Sequence, residues 1–335
     1  MRPTFSIIAF TVLSGTGYGL LFLCGLALAV GLPLDSYHAS SFDDFHFGHP
    51  PVSAIVIDPH IPFFTLLAIG ALLAAAGLLC SLGHLGQPQR AWRALTQWRS
   101  SWLSREGIFA IATFIPLSAS AYLLLTTSHA VSSRVAGLAL ASCSFATVFC
   151  TARIYSSLKP VGAWHQPHVL PTYLLLGLYG AMLWSTAIAF VPALAGLRDP
   201  AQLLWLAHAV LVAPACALLK RAYWRRIDAS SPPSAGRATG LDVLGTVRAF
   251  EAPQTEENYL THEMGFVLAR RHARKLRAIV FWLILLVPLG MLPAAWLIGW
   301  LSAWISLALG LLALFVERWL FFAEAKHAVM AYYQR

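Results

Sequence analysis

A chain of 335 residues has the length of about two soluble domains, but its composition excludes them. Hydrophobic residues make up 58 % and charged residues 11 %, against roughly 45–50 % and about 25 % in soluble proteins. The 23 Lys and Arg against 14 Asp and Glu leave a net charge of +9, carried between apolar blocks too long for a nucleic-acid-binding domain, a cytosolic enzyme or a disordered chain.

A helix crossing the hydrocarbon core needs roughly 20 mostly apolar residues. In chain order the sequence predicts eight of them, at 5–30, 62–82, 107–127, 135–152, 169–195, 201–219, 278–298 and 302–322. The fold class expected is therefore all-α, a polytopic bundle of eight transmembrane helices in one domain. The first segment is too long and too apolar for a secretory signal, and Arg2 is a thin basic flank, so it reads as a retained span. Its Gly15 and Gly19 form a small-xxx-small face for close helix packing, and no strand precedes them to make a nucleotide-binding loop. Asp58-Pro59 and Asp199-Pro200 mark helix starts. Ser142, Ser144, Thr147 and Thr151 in the fourth span suit hydrogen bonds between helices. The five cysteines all lie in apolar stretches without a C-x-x-C pair, so no disulfide framework, zinc site or iron–sulfur site is legible.

Orientation follows from the Lys/Arg bias of the connections. Every basic residue except Arg134, Arg198 and Arg318 falls on one side of the eight-span layout, which places both termini in the cytoplasm. The acidic outer connection 31–61 has no Lys or Arg. The only sizeable aqueous segment is 220–277, inserted between the sixth and seventh spans. Its 230–240 part is a turn region. From Thr255 a capped amphipathic helix is expected, with Leu260, Met264, Val267 and Leu268 as its apolar stripe. Arg270, Arg271 and Arg274 follow, suited to anionic lipid or to a docked partner subunit.

Ionisable residues within membrane segments carry a functional hypothesis. His84 closes the second span, broken by Gly86 and Pro88, and Glu106 opens the third. Between them Trp92, Trp98 and Trp102 alternate with Arg90, Arg93, Arg99 and Arg105, the pattern of a helix lying at the interface. An imidazole and a carboxylate at similar depth on neighbouring helices suit a quinone headgroup. One donates to a carbonyl oxygen and the other accepts the hydroxyl proton as electrons leave. Arg93 and Arg105 belong to this candidate quinone site, and Arg90 to a docking surface. Haem would need two facing axial histidines. His208, about seven residues or roughly 10 Å from the outer face, has no partner at its depth. Glu317 and Arg318 are neighbours in the last span, expected to point apart and to need separate partners, with Arg153 a candidate for Glu317.

Three blocks in order, GHLGQPQRAWRAL…SWLSREG, ARIYSSLKPVGAW and ERWLFF, resemble the membrane anchor subunits of the dimethyl sulfoxide reductase family over essentially the whole chain. The resemblance implies a multi-pass protein of a bacterial inner membrane. It also implies two partners, a four-cluster ferredoxin-like iron–sulfur subunit and a molybdopterin catalytic subunit. It makes His84 and Glu106 the quinol-site pair, with menaquinone or ubiquinone as cofactor and no haem, metal or iron–sulfur cluster in this chain. The loop before the seventh span resembles the longer branch, which includes the membrane subunits of cytoplasmic sulfite-oxidising complexes. In the reductases the catalytic pair faces outward, whereas the His84/Glu106 connection here is basic and reads as cytoplasmic. A secondary transporter would show inverted repeats or paired broken helices, and the sequence has neither.

Overall fold

The computed structural model describes residues 3–31, 60–83, 85–126, 130–189, 200–230, 234–247, 250–251 and 268–333. These residues are helical throughout apart from turns and one isolated bridge between Val161 and His327. The helices are α1 (Phe5–Ala29), α2 (His60–Leu82), α3 (Trp102–Ala112), α4 (Phe114–Leu125), α5 (Ala130–Ser156), α6 (Val169–Ala189), α7 (Pro200–Ala229), the single turn α8 (Ala235–Thr239), α9 (Leu268–Ile298) and α10 (Trp300–Ala323). Among the described residues six stretches are long and apolar enough to cross a membrane: α1, residues 63–82 of α2, α3 with α4 as one span, α5, α6 up to Ile188, and residues 301–323 of α10. Helices α7 and α9 lie where the sixth and seventh spans are predicted. The third span is interrupted at Thr113 because Pro116 has no N–H to give the carbonyl of Ala112.

Helix α1 is the centre of the bundle and packs against α2, α5, α6 and α10. Its small residues make this possible. A Cβ on Gly17 would stand 2.5 Å from the Ala74 backbone nitrogen of α2, one on Gly19 2.5 Å from the Gly177 carbonyl of α6, and one on Gly25 2.6 Å from Ala141 of α5. Gly15 also faces α6, because a Cβ on Gly177 would meet its carbonyl oxygen at 2.9 Å. The Gly15/Gly19 face read from the sequence is thus the α1–α6 crossing, and Gly17 and Gly25 serve two further neighbours.

Two apolar cores result. One joins α1, α2, α5 and the α3–α4 span with Ala181 and Ile188 of α6, and the other joins α6, α7, α9 and α10 with Ile8 and Val12 of α1 and Ala152 and Tyr155 of α5. Trp184 and Trp304 meet edge to face at 6.4 Å between them. Helix α9 turns back into α10 through the single residue Gly299, at φ +56°, a conformation glycine adopts without a Cβ clash.

The turn region 157–168 and the segment after α10 close one end of the bundle together. The Trp164 indole stacks on Phe321 at 5.5 Å and donates to its carbonyl oxygen at 3.0 Å, and Ala328 N–H donates to the Pro160 carbonyl at 2.9 Å. Two sequence blocks more than 150 positions apart are therefore one packed unit.

Candidate functional site

The site is built at the end of the bundle where α3 begins and α5, α7 and α10 finish. Ser101 caps α3 by accepting from the Ser104 N–H at 3.4 Å. The preceding segment Pro88–Gln97 is a run of 3₁₀ helix with no buried residue. Trp92 on it and Trp98 directly after it stay exposed, as an interfacial segment requires. It is tied down where it meets α3: the Ser104 hydroxyl donates to the Ala94 carbonyl, and Leu95 covers Gly107.

Glu106 follows one turn into α3 and is buried, 5 % exposed. The Thr151 hydroxyl of α5 lies 2.5 Å from its Oε1 and 3.0 Å from the Thr147 carbonyl. A hydroxyl has one proton to give. With Glu106 ionised, Thr151 donates to the carboxylate. With Glu106 protonated, Thr151 turns to the Thr147 carbonyl and accepts the carboxylic proton. The same pair of residues therefore accommodates both protonation states, as a proton-exchanging carboxylate needs. Tyr18 of α1 reaches the same helix, its hydroxyl donating to the Ala110 carbonyl at 3.1 Å.

The arginines around Glu106 have distinct positions. Arg105 donates from Nε to the Trp98 carbonyl at 2.9 Å and from Nη2 to the Arg99 carbonyl at 2.6 Å, while its guanidinium lies 4.4 Å over Trp102. It thus satisfies the carbonyls at the end of the Trp/Arg segment. Arg153 covers the same indole at 5.2 Å. Arg93 is exposed and stacks on Trp92 at 5.7 Å, and Arg90 is exposed. Arg274 is exposed on α9, and Arg270 and Arg271 lie in the first turn of that helix. His84 falls outside the described residues, as does the amphipathic stripe 255–267 up to Leu268.

The structure corrects the reading of the last span. Glu317 and Arg318 do interact, with Nε 3.3 Å from Oε2, because long side chains on adjacent residues curl back toward each other when both are excluded from lipid. The principal partner of Glu317 is Lys220 at 2.6 Å, in place of Arg153. The sequence places Lys220 at the start of the aqueous loop, but α7 continues as helix to Ala229 and leaves it 1 % exposed. Its ammonium lies 3.8 Å over the Tyr223 ring, and Arg318 lies 3.8 Å over Tyr173. At the rim Arg277 bridges Glu324 and Asp228, each at 2.8 Å. Burial pushes the Glu324 carboxyl above the ordinary carboxylate range, and the Arg277 guanidinium opposes that shift.

Lys220, Thr151 and the tyrosines do not stand out in the sequence as site residues. For Lys220 the available signal is the stretch after Pro214 that continues without Gly or Pro to Ala229, with Tyr223 and Trp224 one turn on. For Thr151 there is none beyond the polar face of the fourth span, since Glu106 is 45 positions away.

Comparison with known proteins gives the family. Residues 61–323 match the DMSO reductase anchor subunit (DmsC) family. The chain is similar to a sulfite dehydrogenase subunit of Allochromatium vinosum, 28 % identical over 353 aligned positions, covering 100 % of this chain and 99 % of that one. No solved structure matches. The chain therefore belongs to the DMSO reductase anchor subunit family, and it is a membrane anchor subunit of an oxidoreductase complex.

Proposed function

We propose that this anchor exchanges electrons between the quinone pool and a docked iron–sulfur subunit, with the quinone headgroup held at Glu106 and His84. The observation that carries the reading is the Glu106 carboxylate, buried at a helix start in a membrane segment and paired with a hydroxyl that serves both its protonation states. A carboxylate buried there costs stability, which points to a role in chemistry. A quinone needs a proton acceptor at one oxygen and a donor at the other, and an imidazole supplies the second role. When bound, the quinone supplies two-electron chemistry coupled to two protons.

In this reading α7 and α9 cross the membrane as well, making eight spans with the six stretches long and apolar enough to do so. The Glu106 end then lies in the cytoplasm of an inner membrane, a reading that the bias of Lys and Arg supports. Electron transfer needs a short gap, so the iron–sulfur subunit docks on that face, and exposed Arg90 and Arg93 meet its acidic surface. A molybdopterin subunit beyond it completes the complex. The full-length likeness to a sulfite dehydrogenase subunit favours sulfite oxidation over dimethyl sulfoxide reduction as the partner's chemistry.

The test is quinone-linked turnover by the assembled complex in membranes, using a short-tail benzoquinone analogue. Glu106→Gln and His84→Ala are expected to assemble normally and to lose about 10²-fold or more in turnover. Normal quinone kinetics in both would overturn the assignment.

A further inference from the structure

Polar side chains are spaced at intervals between Glu106 and the aqueous rim. Thr151 contacts Glu106, and Tyr155 stands one turn further along the same face of α5. Tyr155 stacks on Tyr173 at 5.6 Å, and the Tyr173 hydroxyl is buried without a hydrogen-bond partner among the described residues. Tyr173 lies beneath Arg318, which contacts Glu317, which contacts Lys220. Lys220 lies 4.8 Å over the Trp224 ring, which Arg277 also covers at 5.8 Å, and Arg277 joins Glu324 and Asp228, whose side chain is 63 % exposed.

Beside Arg318 a cavity of about 10 Å³ is lined by Thr11, Thr16 and Tyr173, room for a single water. Thr16 Oγ1 and Arg318 Nη1 are buried without a hydrogen-bond partner among the described residues, so a water there has polar groups to hold it.

A buried ion pair by itself specifies helix register at a cost in desolvation. This arrangement exceeds that need. It has three ionisable groups at 3 % exposure or less, a line of tyrosines reaching toward Glu106, and a graded exit through Glu324 to an exposed carboxylate.

We infer that the Tyr155–Tyr173–Glu317–Lys220 line is a proton path between the quinone site and the aqueous rim. The inference rests on the quinone-site reading above. Oxidation of a quinol yields a quinone, two electrons and two protons. The electrons leave to the docked subunit's iron–sulfur centre. Each proton passes to the Glu106 carboxylate, moves through the tyrosine hydroxyls and the cavity water to Glu317 and Lys220, and leaves by Glu324 and Asp228. Quinone reduction runs the same path inward. Arg277 and Arg318 stay protonated and set the local potential without carrying the proton. Entry and exit lie at the same end of the bundle, so turnover moves no proton across the membrane.

The experiment compares wild type, Glu317→Gln, Tyr173→Phe and Glu106→Gln complexes in membranes. It measures assembly, turnover with the benzoquinone analogue, and the solvent deuterium isotope effect on that turnover. Tyr173→Phe keeps the ring against Arg318 and removes only the hydroxyl. The expected result is assembled complexes in which both path variants slow turnover by about tenfold to a hundredfold with an enlarged isotope effect. Wild-type rates and isotope effects in both variants would overturn the path, as would loss of assembly in both, which would make the cluster a structural pin. If Glu106→Gln is blocked while the path variants are normal, the path alone fails. If Glu106→Gln turns over normally, it is the quinone-site reading that fails.

Discussion

The hydroxyl of Thr151 decides how well Glu106 tolerates its charge. A hydrogen bond to an ionised group is worth about 1.5–3 kcal/mol, and its loss in a buried site exposes the full desolvation cost. Thr151→Val keeps the shape of the side chain and removes the donor. It is expected to slow turnover with the benzoquinone analogue about tenfold or more, which steady-state kinetics on the assembled complex will show. Thr151→Ser should retain most of the wild-type rate, because it restores the donor. Glu106 is exceptional already in the sequence, because a carboxylate at the start of an apolar run is conspicuous. Thr151 is not, because nothing local distinguishes a threonine aimed at a carboxylate from one bonded only to its own helix.

At the scale of helices, α1 holds its neighbours by backbone proximity. At Gly17 the Ala74 nitrogen and the Gly70 carbonyl oxygen of α2 leave no room for a Cβ, and both contacting groups are backbone that cannot rotate away. Gly17→Val is therefore expected to destabilise the protein by roughly 1–3 kcal/mol through overpacking. Gly162, in the turn region after α5, has open space where a Cβ would go, so Gly162→Ala is expected to be close to neutral. Thermal unfolding of the two variants in detergent will separate them. The glycine spacing was legible as a packing face, but the assignment of Gly17 to α2, Gly19 to α6 and Gly25 to α5 needed three dimensions. The Trp/Arg segment shows the same division. Its interfacial character was readable, whereas the turn of Arg105 toward the Trp98 and Arg99 carbonyls depends on where the segment ends against α3.

For the whole molecule, the proposed orientation makes a direct prediction. Ser234 is exposed at the N-terminal cap of the turn α8, and Ser132 is exposed near the start of α5 at the opposite end of the bundle. A membrane-impermeant thiol reagent should label Ser132→Cys from outside intact cells and Ser234→Cys only after the membrane is opened. The reverse pattern would invert the topology and move the Glu106 end away from the cytoplasm. The positive charge that excluded a soluble protein is, in this orientation, the feature that sets the side of partner docking.

The sequence alone determined that the chain is helical and membrane-embedded, where its apolar segments lie, and that Glu106 stands out among its ionisable residues. Those properties follow from local hydropathy and from the cost of placing charge in hydrocarbon, both written along the chain. The tertiary structure decided which groups meet. Lys220 reads as the first residue of a loop until α7 is seen to continue and bring it to Glu317, 97 positions away. Helix length, rotation and neighbour choice are settled by packing between distant segments. The series of polar side chains from Glu106 to Asp228 became visible only once the bundle was assembled.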